Sequence, residues 1–351
     1  MEQPHDTSDT FERVSTFGGG HDVVKAKTYL AKEFAKILGI SKSHLLKLEG
    51  DGKLPPARRV QRGKVMHRFY TVEDIPVYRD KLDMPPLLTK RRTQLFLNFK
   101  GGTGKSSLSA AWAYQLAELG LRVLAIDLDP QSHLTKCLGV AAALDKHKSL
   151  FDVLIEDVDI NAAITTTSMP NLDLVPATLK MSVIESRLLN MDMREFLLKA
   201  ALERLETNYQ VIVIDALPTI TLLNKNAVLA SDDLMIPVLA DYLSFDGLGL
   251  LFYELTKLQH SFSIYHPQGG SQELFDNIHI IVNQYNPKLQ IAQQCLTALR
   301  KHYSTYLCET LIPDNTKVTQ ATAAGMPVTQ FDPSCTAAKR IRALIEEVYG
   351  F

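Results

Sequence analysis

The segment Phe99-Lys100-Gly101-Gly102-Thr103-Gly104-Lys105-Ser106-Ser107 places three glycines, two lysines and three hydroxyl side chains within nine positions. That mixture suits phosphate. Glycines let successive backbone N–H groups close around phosphate oxygens, and a helix N-terminus immediately after them adds a favourable dipole. Lys105 supplies a point charge for the β and γ phosphates, and the Ser106 hydroxyl is placed to ligate Mg2+. A glycine-rich turn alone is often only a tight connection. Here the Gly-Lys-Ser ending, an apolar run before it and a helical pattern after it all agree.

Such a loop works only between a strand and a helix, with carboxylates brought to the same edge. From Thr93 onward, short apolar runs alternate with amphipathic stretches. The runs Gln94–Asn98, Arg122–Ile126, Leu172–Val175, Val211–Ile214, Asp233–Pro237 and Ile278–Val282 read as strands, and Ser106 to about Leu119 reads as a helix. This alternation predicts an α/β fold: a doubly wound, mostly parallel sheet with helices on both faces. Two runs end in carboxylates, one at Asp127-Leu128-Asp129 and one at Asp215. A strand-terminal aspartate can cap a helix or hold Mg2+ through water.

The usual P-loop spacing wants glycine where Phe99 stands; the variant here puts a second lysine, Lys100, at the start of the loop. It resembles the deviant Walker A motif of the ParA/MinD family, which includes partition ATPases, division-site ATPases and the nitrogenase iron protein. The resemblance runs from Thr93 to Phe351 and implies an ATPase using ATP and Mg2+. It implies that Lys100 reaches across a nucleotide-sandwich homodimer, so that chemistry waits for assembly. Lys100, Lys105 and Asp129 then form the catalytic set, with Asp129 positioning the attacking water. Lys100 through Ser107 line the nucleotide, joined by Pro313 and Asn315 of Ile312-Pro313-Asp314-Asn315, which is similar to the family's I-P-R-N segment. Ser106, Asp127 and Asp215 form the expected metal set. Two departures stand out. The family's D-x-P-P reads Asp215-Ala216-Leu217-Pro218, and an arginine tied in relatives to non-specific DNA binding is Asp314. Lys288, Lys317 and the Lys339, Arg340, Arg342 group remain as DNA-phosphate contacts on this side.

The net charge of −1 conceals an asymmetry: Lys25 to Tyr70 carries twelve Lys and Arg against three acids, a local +9 that leaves −10 for the remainder. Charge so concentrated marks an electrostatic footprint for a polyanion. Leu30–Ile40 reads as a short amphipathic helix ending in a glycine turn, and Ser41 can cap a second helix, Lys42–Leu48. Helix, tight turn and helix make a helix-turn-helix, and the sequence from Leu54 to Ile75 resembles the wing and next helix of MerR-like domains. Lys42, Ser43, His44 and Lys47 would face the major groove, while Arg58, Arg59, Arg62, Lys64 and Arg68 would meet phosphates.

The domain reading is therefore a flexible arm at 1–24, a winged helix-turn-helix at 25–82, a linker at 83–92 around Pro85 and Pro86, and the ATPase domain at 93–351. An apolar fraction of 46% and a charged fraction of 22% are those of a soluble globular protein. No apolar run approaches a membrane span, and Met1–Gly20 lacks a signal-peptide core. Cys137, Cys295, Cys308 and Cys335 are scattered, which argues for reduced thiols over a metal or disulfide framework and against an iron–sulfur reductase. The expected protein is cytoplasmic and nucleoid-associated, with DNA and a ParB-like centromere-binding protein as partners and no membrane. The last helix sets Ile341, Leu344, Ile345 and Val348 on one face, but Glu346 and Glu347 oppose an anionic bilayer, so core packing is expected. A partition ATPase that can also repress its own operon is the leading expectation. The alternatives are an ATP-liganded transcription regulator with little turnover, or a related ATPase that positions a protein cargo on the nucleoid.

Overall fold

The computed structural model describes residues 27–62, 65–140, 147–263 and 273–350. The expected arm at 1–24 and Lys64 lie outside the described residues. Near the N-terminus, β1 (Thr28–Tyr29), β2 (Arg58–Arg62) and β3 (Val65–Thr71) form a small antiparallel sheet in the order β1-β3-β2. Three helices accompany it: α1 (Ala31–Ile37), α2 (Lys42–Gly50) and α3 (Asp74–Lys81). Ser41 caps α2 as its residue type requires, its Oγ accepting from His44 N at 3.1 Å. The module has its own core, with the Phe34 and Tyr70 rings stacked at 4.2 Å and Tyr78 edge-on to Phe34 at 5.0 Å. Beneath them Glu49 accepts from the Tyr70 hydroxyl at 2.7 Å. Along the chain α1 and α2 precede the antiparallel pair β2 and β3, and α3 follows.

The larger sheet has seven strands. In chain order they are β4 (Arg92–Phe96), β5 (Val123–Asp127), β6 (Thr165–Thr166), β7 (Leu172–Val175), β8 (Val211–Asp215), β9 (Asp233–Leu239) and β10 (Asn277–Asn283). Their spatial order is β10-β9-β4-β8-β5-β7-β6, parallel throughout except for the two-residue edge strand β6. The helices are α4 (Lys105–Glu118), α5 (His133–Cys137), α6 (Leu150–Ile155), α7 (Ile184–Leu188), α8 (Leu197–Glu203), α9 (Leu222–Leu229) and α10 (Tyr242–Ser263), then α11 (Gln290–Tyr303), α12 (Thr316–Ala323), α13 (Val328–Phe331) and α14 (Thr336–Tyr349). Along β5, Val123 and Ala125 point into one apolar core and Leu124 and Ile126 into a second; Val211 and Val213 against Ile212 and Ile214 repeat this on β8. A period of two with both faces apolar is the mark of a sheet covered on both sides. The phosphate loop and both carboxylate-ended strands therefore meet at one edge, the C-terminal ends of β4, β5 and β8, where open α/β sheets bind ligands.

The segment read as a linker does not hold the N-terminal module apart. Ile75 and Pro76 of α3 press on Gly120, just past the end of α4, and the module's buried residues belong to the same apolar core as α4 and α14. Lys27 pairs with Glu118, which is 3% exposed, and Lys27 also lies over the Tyr114 ring. Leu87 and Leu88 of the connecting segment pack on that core as well. At the other terminus α14 buries Ile341, Leu344 and Ile345, in line with core packing. Among the described residues no helix is long and apolar enough to cross a membrane.

Candidate ATP and magnesium site

The loop 100–104 is held by three side chains. Asn98 donates from Nδ2 to Pro237 O at 2.7 Å and accepts from Lys100 N at 2.9 Å, fixing where the chain leaves β4. From the neighbouring edge, Asn283 Nδ2 donates to Thr103 O at 2.8 Å and Gln284 Nε2 to Gly102 O at 3.4 Å. Gly104 has a φ of +79°, and a Cβ there would collide with the Asn283 amide. Glycine is thus required twice, for conformation and for room. Phe99, where the common motif has glycine, packs on the apolar core behind the loop. Ser107 faces α12, its hydroxyl 3.4 Å from that of Thr322.

Lys105 is buried, and its ammonium donates to Lys100 O at 3.4 Å. Burial lowers its pKa, opposed by the charges of Asp215 and Asp129. Asp215 is wholly buried at the end of β8, and neither of its carboxylate oxygens has a hydrogen-bond partner. Burial first, then the charge of Asp127, pushes its pKa far above the ordinary carboxylate range, while Ser106 and Lys105 pull it down. An orphaned buried carboxylate beside a serine hydroxyl is a poor structural element and a good place for a cation. The residues therefore fit Mg2+, with Ser106 and Asp215 as the groups that would hold it, and bound Mg2+ would supply charge neutralisation between the phosphates.

Asp127 is differently employed. Its Oδ1 accepts from Asp129 N at 3.0 Å, and its Oδ2 accepts from Thr135 N at 2.9 Å and Thr135 Oγ1 at 2.7 Å. It anchors the turn that carries Asp129, although burial raises its pKa to about 6. Asp129 is half-buried and accepts from Gln131 N at 2.9 Å. Lys100, by contrast, leaves the loop altogether. Its ammonium donates to both carboxylate oxygens of Asp241, each at 2.7 Å, at the start of α10. Burial works against ionised Asp241, but Lys100 and the Ser244 N–H hold its carboxyl below the usual range. Pro313 bridges to Tyr285, and the Asn315 side chain caps α12 by accepting from Lys317 N at 2.9 Å.

The residues read for DNA divide into two kinds. Lys42, Ser43, His44 and Lys47 are all exposed on α2, and Arg59 is exposed on β2. Arg58 is exposed as well, but it donates to Thr71 Oγ1 at 2.8 Å and pairs with Asp74, and the partly exposed Arg68 pairs with Glu49 at 3.6 Å, so each also ties the module together. Arg62 lies on β2 by its backbone. On the ATPase side Lys288 and Arg340 are exposed, Arg340 donates to Leu311 O at 3.0 Å, and Lys317 lies over the Phe331 ring. Asp241, Asn98, Asn283 and Gln284 were not singled out by sequence. Asn283 and Asp241 carried one usable signal, their place at or just past the C-terminal ends of β10 and β9, beside the phosphate loop.

A phosphate-binding loop on a parallel sheet, with a buried lysine and an unpartnered carboxylate behind it, defines a P-loop nucleotide hydrolase. Comparison with known proteins refines that class. A family profile described as an AAA domain matches residues 92–266. The cell division protein PomZ of Myxococcus xanthus is 42% identical over 325 residues, 93% of this chain and 94% of PomZ. The sporulation initiation inhibitor protein Soj of Bacillus subtilis is 32% identical over 251 residues, 72% of this chain and 95% of Soj. Among solved structures, a putative plasmid partition protein of Borrelia burgdorferi bound to AMPPNP aligns with a TM-score of 0.63 at 25% identity, over 74% of this chain and 99% of that one. Cobyrinic acid a,c-diamide synthase of Mycobacterium smegmatis, with a bound ATP analogue and magnesium, aligns at 0.59 and 25% identity, over 73% of this chain and 95% of that one. The chain belongs to the ParA-type P-loop ATPases, and it is an ATPase that uses ATP with Mg2+.

Proposed function

We propose that the protein is an ATP-gated DNA-partition ATPase that dimerises when it binds ATP and loads on DNA as the dimer. Hydrolysis, stimulated by a ParB-like centromere-binding protein, then releases it. The observation that carries this reading is the position of Lys100. Its ammonium sits on Asp241 at the rim, clear of the phosphate loop, while Lys105 is the buried lysine within it. A lysine so placed can serve a second copy of the chain once Asp241 releases it. In this reading Lys105 holds the phosphates, Asp129 orients water and Ser106 with Asp215 holds the metal. The N-terminal module adds DNA contacts through Lys42, Ser43, His44, Lys47 and Arg59, which supports operon autorepression as a second use. The test is ATP turnover by the full chain with and without duplex DNA and the product of the adjacent gene. The reading expects stimulation that needs both; turnover indifferent to DNA and partner would overturn it.

A second reading keeps the ATP cycle and changes the cargo. The likeness to the cell division protein PomZ covers 93% of this chain, whereas that to Soj covers 72%, so the former extends into the N-terminal module. That favours positioning of the division apparatus. Cells depleted of the protein separate the two: lost or unevenly inherited DNA supports partition, and misplaced division sites support the second reading.

A further inference from the structure

The chain between β8 and α9, Ala216–Thr221, follows the metal carboxylate Asp215 directly, yet it carries Leu217 where the D-x-P-P pattern has a first proline. Proline fixes φ near −65°, so its loss loosens the segment that carries the chain away from Asp215 beside the phosphate loop. Hydrogen bonds restrain this segment instead. At its start Ala216 N donates to Phe96 O at 3.1 Å, tying it to the strand that leads into the phosphate loop. In its middle, the Asn224 side chain donates from Nδ2 to Leu217 O at 2.9 Å and to Thr219 O at 2.5 Å. At its end Thr221 Oγ1 accepts from Asn224 N at 3.1 Å, and Glu185 of α7 accepts from Leu222 N at 3.0 Å and Leu223 N at 2.9 Å.

Asn224 is 3% exposed, and its Oδ1 is buried with no hydrogen-bond partner. Both groups facing its nitrogen are carbonyls, so the amide cannot be flipped without losing both bonds. A buried acceptor left empty destabilises the fold, so the residue is better understood by what its nitrogen holds than by its packing. We propose that Asn224, braced by Glu185, is the positioning residue that keeps the post-Asp215 segment on its hydrolysis-competent course, replacing the restraint of the missing proline. This concerns hydrolysis alone and holds whatever the cargo.

Single-turnover ATP hydrolysis by the full chain, with equilibrium ATP binding measured beside it, tests the assignment. Asn224→Ala should slow hydrolysis on the order of 10- to 100-fold, the usual consequence of misplacing a reacting group by about an ångström. ATP affinity should change by no more than about twofold, because the loss falls on the transition state. The decisive variant is Asn224→Ala with Leu217→Pro. Leu217 N donates no backbone hydrogen bond among the described residues, so proline removes none there. This double variant should recover most of the lost rate. A rate unchanged by Asn224→Ala, a parallel fall in affinity and rate, or no recovery with Leu217→Pro would each overturn the proposal. If Asn224→Ala does not fold, Asn224→Thr, which keeps one donor, should show a smaller loss that Leu217→Pro also repairs; full activity in Asn224→Thr would overturn it equally.

Discussion

Replacing Gly120 with alanine tests whether the N-terminal module is truly fastened to the phosphate-loop helix. Gly120 has a φ of +87°, a conformation that costs an L residue about 1–2 kcal/mol. An added Cβ would stand 2.8 Å from Ile75 Cγ2, 3.0 Å from Ile75 Cβ and 3.3 Å from Pro76 Cδ. Overfilling a packed junction costs about 1–3 kcal/mol more, so the full penalty is about 2–5 kcal/mol. Only the second part depends on Ile75, and a double-mutant cycle isolates it. Ile75→Ala alone opens a cavity at a side chain that is 1% exposed, costing about 2–5 kcal/mol. In the double variant the nearest clashing methyl is gone, so the two costs should fall short of additive by at least about 1 kcal/mol. Denaturant unfolding followed by Trp112 fluorescence reads all four proteins, since Trp112 is the only tryptophan and lies buried in α4. A Gly120→Ala cost below about 1 kcal/mol, or costs additive within about 0.5 kcal/mol, would mean that the module does not rest on α4.

Three further outcomes follow from the site. Lys105→Ala should abolish ATP binding in equilibrium titrations, because the β and γ phosphates lose their buried cation; retained affinity would contradict that role. Asp129→Ala should bind ATP and self-associate normally yet turn over far more slowly, since a water-orienting carboxylate acts on chemistry more than on binding. An ATP affinity falling in step with its rate would make Asp129 a structural residue. Asp241→Asn removes the charge that holds Lys100, a partly exposed pair worth up to about 1 kcal/mol. Half-maximal self-association should then need about two- to fivefold less ATP, and a requirement for more ATP would show that the pair is not a restraint.

Local pattern carried most of the fold. Val123–Asp127 and Val211–Asp215 announced themselves as buried parallel strands because each is an unbroken apolar run ending in a carboxylate. The edge strand Thr165–Thr166 was missed because two residues are too short to show a period. The phosphate loop was legible for a similar reason, since its chemistry lies in consecutive residues. What contacts it from afar was not: Asp241 is 141 positions from Lys100 and Asn283 is 180 from Thr103, and neither separation leaves a trace in spacing. Arg58 and Arg68 counted toward a basic surface, and composition gave no sign that each also pairs with an acid of the module, Asp74 and Glu49. Nothing in the sequence couples Glu118 to Lys27, and only the docking of the module on α4 buries the one against the other.

Whether Lys100 serves a second copy of the chain is settled most directly by light scattering of the wild-type protein and Lys100→Ala, with ATP and with ADP. Both proteins should bind ATP, because Lys105 is intact. The wild type should double its mass with ATP and remain monomeric with ADP, and Lys100→Ala should remain monomeric with either. A Lys100→Ala protein that dimerises with ATP as the wild type does, or a wild type that ATP leaves monomeric, would contradict the ATP-gated dimer.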